Sequence, residues 1–191
     1  MPEHRFTNTL IPFETPLPPK RFLAVGAHAL SERMLRLISA LALRQSVTVL
    51  DCGNRSNMYA VARLIRPYTS DPVSVMRNIR LSRAFTCYQV LAMIQATARA
   101  PLGGPLVLLD LLATFLDEDV KLKDSQRLLS RSLDLLTRLS HQVPVVISTR
   151  PIPTIAENRT VLLEELKASA DICWEEPSAL PDAQERQLAL F

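Results

Sequence analysis

Glycine is scarce in this chain. There are 4 glycines in 191 residues, where average usage of ~7% would give roughly 13. A phosphate site built on a glycine-rich loop needs backbone that carries no side chain, so that several N–H groups can close on one anion. Such a site starts at a disadvantage here. Cysteine is sparse too. Cys52, Cys87 and Cys173 are odd in number and widely spaced, with no Cys-x-x-Cys pair. A zinc site or a disulfide framework is therefore not expected. Cys52 and Cys173 fall at or near strand ends and are expected to be small buried residues. No apolar run approaches the ~18 residues of a membrane span. The N-terminus lacks the charged-then-apolar pattern of a signal peptide. These absences lead us to expect a cytoplasmic protein with no membrane partner. His4, His28 and His141 are isolated in the sequence, and no metal site is expected of them. No GxSxG turn supports a serine nucleophile.

What remains is a chain with 48% hydrophobic and 21% charged residues. It is one domain long and sufficient for a sizeable core. The apolar content and the lack of short repeats exclude collagen-like and low-complexity disordered classes. The net charge is only +3, but 18 of the 22 basic residues are Arg. The planar guanidinium fork suits phosphate and carboxylate. The composition is compatible with nucleic-acid contact, and equally with a compositional bias.

Residues 1–20 hold Pro12, Pro16, Pro18 and Pro19 and read as an extended arm, ordered only where it packs on something. Residues 21–176 read as the core domain, and 177–191 as a flexible tail. Apolar runs at Phe22–Val25, Val47–Leu50, Leu106–Leu109 and Val143–Ile147 read as strands, with weaker ones at Asn78–Phe85 and Ala170–Trp174. Helical spacing is found over Ser31–Arg44, with Ser31 as a possible cap. It recurs over Asn57–Arg66, with Tyr59, Ala62 and Leu64–Ile65 inward and Pro67 as the stop, and over Tyr88–Arg99, Ser125–His141 and Thr160–Ser169. The stretch Thr149–Arg159 reads as a loop, and Trp174 as core. Strands and helices alternating at this spacing imply an α/β domain with a mostly parallel sheet. Ligands in such sheets sit outside the carboxyl ends of the strands.

Asp110 closes the apolar strand Leu106-Val107-Leu108-Leu109, as a Walker B carboxylate does when it stands near a nucleotide's magnesium. Upstream runs Asn78-Ile79-Arg80-Leu81-Ser82-Arg83-Ala84-Phe85-Thr86. A helix lies between the two, and the Ser125–His141 helix and the Val145–Thr149 strand come after. This arrangement resembles the RecA-like recombinase ATPases. The match is specific at Arg83-Ala84-Phe85, generic elsewhere, and covers roughly residues 20–175. It implies a RecA-like, P-loop-type three-layer sandwich.

The departures from that family carry as much information. A phosphate loop reads GxxxxGK[ST]. Aligned on Gly26, this chain has Ser31 for the second glycine, Glu32 for the lysine and Arg33 for the hydroxyl. Glu32 would repel a triphosphate. The next strand would end Asp-x-Glu-Gly in the family. Here it runs Asp51-Cys52-Gly53-Asn54, so Gly53 stands where the Glu that orients the attacking water would be. A RecA-like core without ATP hydrolysis is expected, with ATP and magnesium disfavoured as cofactors.

Arg55, Arg63, Arg66, Arg77, Arg80 and Arg83 fall in one stretch and could contact a phosphate backbone, or form a solvated face with intrachain pairing. In recombinases the loops after the Walker B strand and after the next strand contact DNA. Here the first is the acidic Leu116-Asp117-Glu118-Asp119, and the second carries Arg150 and Arg159. Filament-type strand exchange is not expected, and looser DNA contact remains open.

The last five residues, Gln187-Leu188-Ala189-Leu190-Phe191, resemble the bacterial sliding-clamp-binding peptide. Gln187 would hydrogen-bond at a pocket rim, while Leu188 and the Leu190–Phe191 pair would fill apolar pockets. The alternative is that these side chains fold back on the domain. Together the two resemblances imply a non-catalytic accessory protein of DNA repair, recombination or translesion synthesis. Its partners would be the clamp, DNA, and a recombinase or polymerase. An ATPase with a non-standard phosphate site and a structural subunit paired with an active recombinase are the alternatives.

Overall fold

The computed structural model describes residues 16–176. Six parallel strands form one sheet: β1 (Arg21–Val25), β2 (Val47–Asp51), β3 (Ile79–Arg83), β4 (Leu106–Leu109), β5 (Val145–Thr149) and β6 (Ile172–Glu175). Their order across the sheet is β3-β2-β4-β5-β1-β6. The central strands read as unbroken apolar runs because both faces of the sheet are covered; every residue of β4 and β5 is buried.

Helices supply the two cover layers. On one face lie α1 (His28–Ala42), α2 (Met58–Ile65) and the short α3 (Pro72–Met76). Met34, Leu37, Ile38 and Leu41 of α1 meet Val61 and Ile65 of α2 over Val49, Val107 and Leu109. On the other face lie α4 (Cys87–Ala98), α5 (Leu122–Ser140) and α6 (Thr160–Ser169). They pack Ile94, Leu129, Leu136 and Leu162 over Leu50, Leu108 and Ile147. Leu17, in the described part of the N-terminal arm, is buried against the first of these layers. The fold class is thus α/β, a wholly parallel sheet between two helical layers.

Several local expectations need correction. Helix α1 begins three residues before Ser31, at His28, and its N-cap Ala27 makes no side-chain cap. Ser31 is therefore inside the first turns and caps nothing. Tyr59 was expected to face inward but is 71% exposed. The buried stripe of α2 is Val61 and Ile65, nearly opposite Tyr59 at 100° per residue. Pro67 does end α2, but the chain continues as a 3₁₀ turn over Arg66–Tyr68. There Pro is tolerated, because its missing N–H falls at a helix start. Helix α3 went unseen because five residues are too few to display a period; Asp71 caps it through Ser74 N–H. The loop after β5 is partly 3₁₀ over Thr154–Arg159, interrupted by a kink at Ala156. Cys173 is exposed, since β6 is an edge strand with one uncovered face. Trp174 is only half-buried.

Candidate functional site

The carboxyl ends of β1, β2, β4 and β5 converge on a narrow cleft. Gly26, Ala27, Ser31, Arg55, Asp110 and Arg150 line it. The expected positions Gly26, Ser31 and Asp110 are therefore brought together, as a parallel sheet with loops on one edge requires. What the cleft contains is an intrachain charge network.

Asp110 is its centre. The chain turns sharply after β4, and Asp110 takes a left-handed backbone conformation, φ 53°, which Asp tolerates better than most residues. Its N–H donates to Ser148 Oγ at 3.1 Å. Its Oδ2 accepts from Arg55 Nε at 3.1 Å and from Arg150 Nε at 2.8 Å. Two guanidinium groups from two loops thus share one nearly buried carboxylate. The position where a Walker B acid would hold magnesium is engaged by arginines on both sides.

Asp51, at the end of β2, is fully buried. It accepts from Arg55 N–H at 2.8 Å and Ser56 N–H at 3.0 Å, and also from Ser56 Oγ and from Arg83 Nε at 3.1 Å. Burial pushes its pKa up, but the hydrogen bonds from Ser56, Arg55 and Arg83 outweigh it and hold the carboxyl below its ordinary value. Asp51 is an ionised anchor for the loop after β2. Asp51 and Arg83 are register partners on neighbouring strands, so the pairing follows from strand order.

Gly53 sits against Asp110. A Cβ built on Gly53 would lie 2.6 Å from Asp110 Cβ and 2.8 Å from its Oδ2, closer than real atoms approach. No side chain fits at position 53 while Asp110 holds its place. Cys52, between Asp51 and Gly53 in the chain, is wholly buried; burial first, then the charges of Asp51 and Asp110, push its thiol pKa far up. It is a neutral core residue with no nucleophilic role.

The first loop is closed in a different way. Residues 28–31, which a phosphate loop would wrap around an anion, are the opening turn of α1. The N–H of Ala27 donates to Glu176 Oε2 at 3.1 Å. Arg33 lies 3.5 Å from the other oxygen of Glu176 and stacks on Trp174 at 5.2 Å. A carboxylate from the end of β6 therefore takes the helix N-terminus, where the partial positive charge favours an anion. Glu32 points outward and pairs with Arg36 one turn on. The open space in the cleft for a water-sized sphere is about 10 Å³, roughly one water molecule. Small-molecule sites typically offer ~300–1,000 Å³.

The arginines separate into three groups. Arg55, Arg83 and Arg150 are bound into the network above. Arg159, expected on a DNA-facing loop, is instead 5% exposed. It donates to Phe115 O at 2.9 Å, Ser125 Oγ at 3.1 Å and Val120 O at 2.5 Å. It ties the loop after β5 to the loop after β4, and its guanidinium does not reach the surface. Arg63, Arg66, Arg77 and Arg80 are exposed, with no ion pair among the described residues. Gln187, Leu188, Leu190 and Phe191 lie outside the described residues.

Glu176, Ser56 and Ser148 carry no site role in the sequence pattern, and Trp174, expected as core, instead stacks with Arg33. One signal was present. Asp51 and Arg83, and again Asp110 and Arg150, are opposite charges at the ends of adjacent strands, which strand order would have paired. Among the described residues no group of three or more His, Cys, Asp or Glu could hold a metal ion, and no helix is long and apolar enough to cross a membrane. The chain matches no protein-family model and no curated protein.

Proposed function

We infer that this chain is a RecA-like accessory protein that has lost ATP chemistry and acts in DNA repair or damage-tolerant replication as a cytoplasmic scaffold. The observation that carries the loss of catalysis is the double arginine clamp on Asp110, with Gly53 packed beneath it. Magnesium binding at Asp110 would have to displace two guanidinium groups from one oxygen. A glutamate at position 53 would collide with the same side chain. Ala27 N–H already has an anion in Glu176, and Glu32 at the lysine position points outward to Arg36 and offers a phosphate no positive charge. These features support a closed, inert site, and they disfavour the ATPase alternative.

The recruiting element in this reading is Gln187-Leu188-Ala189-Leu190-Phe191, an anchor set suited to the two apolar pockets of a sliding clamp. The exposed Arg63, Arg66, Arg77 and Arg80 support DNA contact. Two measurements test the proposal. A thermal shift across millimolar ATP with magnesium should show no stabilisation; a clear rise would restore the ATPase reading. Pull-down on a bacterial sliding clamp should succeed with the full chain and fail without Gln187–Phe191. Equal capture by both would remove the tether.

A further inference from the structure

Helix α2 carries a second pattern on the side away from the core. Tyr59 and Arg63 of α2 and its C-cap Arg66, which keeps helical φ/ψ as it opens the 3₁₀ turn, are spaced i, i+4, i+7 and fall within about 60° of one another around the axis. All three are exposed, and Tyr59 is 71% accessible. The rise of ~1.5 Å per residue puts Tyr59 and Arg66 about 10 Å apart along the helix. Arg63 and Arg66 have no carboxylate at ion-pair distance among the described residues. The stripe also lies in a long cationic segment. From Cys52 to Leu109 the sequence has seven arginines and a single carboxylate, Asp71. Asp71 is committed to the N-cap of α3, where it accepts from Ser74 N–H at 3.0 Å.

We propose that the outer stripe of α2, Tyr59-Arg63-Arg66, is a binding surface for single-stranded nucleic acid. The charge selects a polyanion. The ring selects the form: a solvent-facing tyrosine flanked by guanidinium groups offers a stacking platform to an unpaired base, whereas a duplex keeps its base faces covered. Phosphate contacts and ring stacking carry no base identity, so binding should be tolerant of sequence. This inference rests on the DNA-contact part of the function proposed above, and it assigns that contact to α2 and away from the strand-end cleft.

The test is fluorescence anisotropy of the full chain with a labelled oligo(dT) and with a duplex of equal length, over graded salt. The wild type should prefer oligo(dT). Tyr59→Ala should weaken it roughly ten-fold, with Tyr59→Phe close to wild type because the ring remains. Arg63→Ala/Arg66→Ala should lower the slope of log affinity against log salt by about 1.4, or ~0.7 per phosphate. All these side chains are exposed, and circular dichroism checks that the variants stay folded. Wild-type binding left unchanged by these variants, or a duplex preference insensitive to Tyr59, would overturn this assignment while leaving DNA contact elsewhere. No wild-type binding to either probe would overturn both this surface and the DNA contact.

Discussion

Gly53 and Asp110 fit together as a lock of one empty and one filled position: the absent Cβ of Gly53 is the space that Asp110 Cβ and Oδ2 occupy. Asp110 then reaches Arg55 and Arg150, which fixes the loops after β2 and β5 to the end of β4. The scarcity of glycine gives this position its meaning. One of four glycines is placed where no side chain can fit while Asp110 keeps its position.

Gly53→Ala should therefore destabilise the fold. The new methyl meets a buried, anchored side chain, and overpacking of this kind costs about 1–3 kcal/mol. For a chain of this size that lowers the unfolding midpoint by roughly 2–4 °C per kcal/mol. Thermal denaturation followed by circular dichroism reads it. A midpoint equal to wild type would show that Asp110 can move aside at no cost.

Removing the carboxylate tests the other half. Asp110→Ala leaves Arg55 and Arg150 facing each other without a counter-charge and places Ala at φ 53°, which Ala resists. Asp110→Asn keeps the shape, tolerates the left-handed backbone and still accepts one hydrogen bond. The Ala variant should be the less stable of the two, by about 1–2 kcal/mol in urea unfolding. Equal stabilities would mean that neither the arginine clamp nor the backbone conformation matters.

The pH dependence follows from Asp51. Its folded pKa is depressed, so its stabilisation is fully present above the unfolded value near ~3.9. It is lost as pH falls through the lower folded value. Unfolding free energy should drop on acidification below about pH 4, and Asp51→Asn should flatten that part of the curve while lowering stability at neutral pH. An acid limb as steep in the variant as in wild type would assign the titration to other carboxylates.

Much of the frame was legible because burial on both faces writes strands as apolar runs. Leu106–Leu109 and Val47–Leu50 were recovered almost to the residue. The helix bounds were less secure. Helix α1 opens without a capping side chain, so nothing in its sequence marks His28 as the start. Tyr59 was assigned to the core because aromatic residues count as apolar, while the smaller Val61 and Ile65 fill that space. In the site, Asp110, Gly53 and Gly26 could be found from strand ends alone. Glu176 could not, since its carboxylate meets Ala27 only after β6 is laid beside β1. Arg159 was misjudged for the same reason: a loop arginine reads as exposed until three acceptors from other segments are folded around it.

Arg159→Ala should accordingly be among the most damaging single changes. It removes a buried guanidinium, strands the carbonyls of Phe115 and Val120, and unties two loops, at a cost of about 2–4 kcal/mol. Arg159→Lys should rescue little, because a single ammonium cannot match the planar fork. Arg80→Ala, on the surface, should change stability by less than about 0.5 kcal/mol. Urea titrations compare the three, and an Arg159→Ala protein as stable as Arg80→Ala would refute the loop tie.

Writing a phosphate-loop motif into residues 26–33 should not create nucleotide binding. Ser31→Gly, Glu32→Lys and Arg33→Thr together would rewrite residues 26–33 to the phosphate-loop pattern. Yet residues 28–31 would still enter α1 directly, and Asp110 would still be held by Arg55 and Arg150. Losing Arg33 would leave Glu176 bonded to Ala27 N–H, still a negative charge where the phosphate must go. The triple variant should give no heat with ATP and magnesium in isothermal titration. Adding Glu176→Gln and Arg150→Ala removes the competing anion and one of the two clamps, so any gain in affinity should require those changes. Millimolar or tighter binding by the triple variant alone would show that the motif residues were the whole barrier and that the charge network plays no part in closing the site.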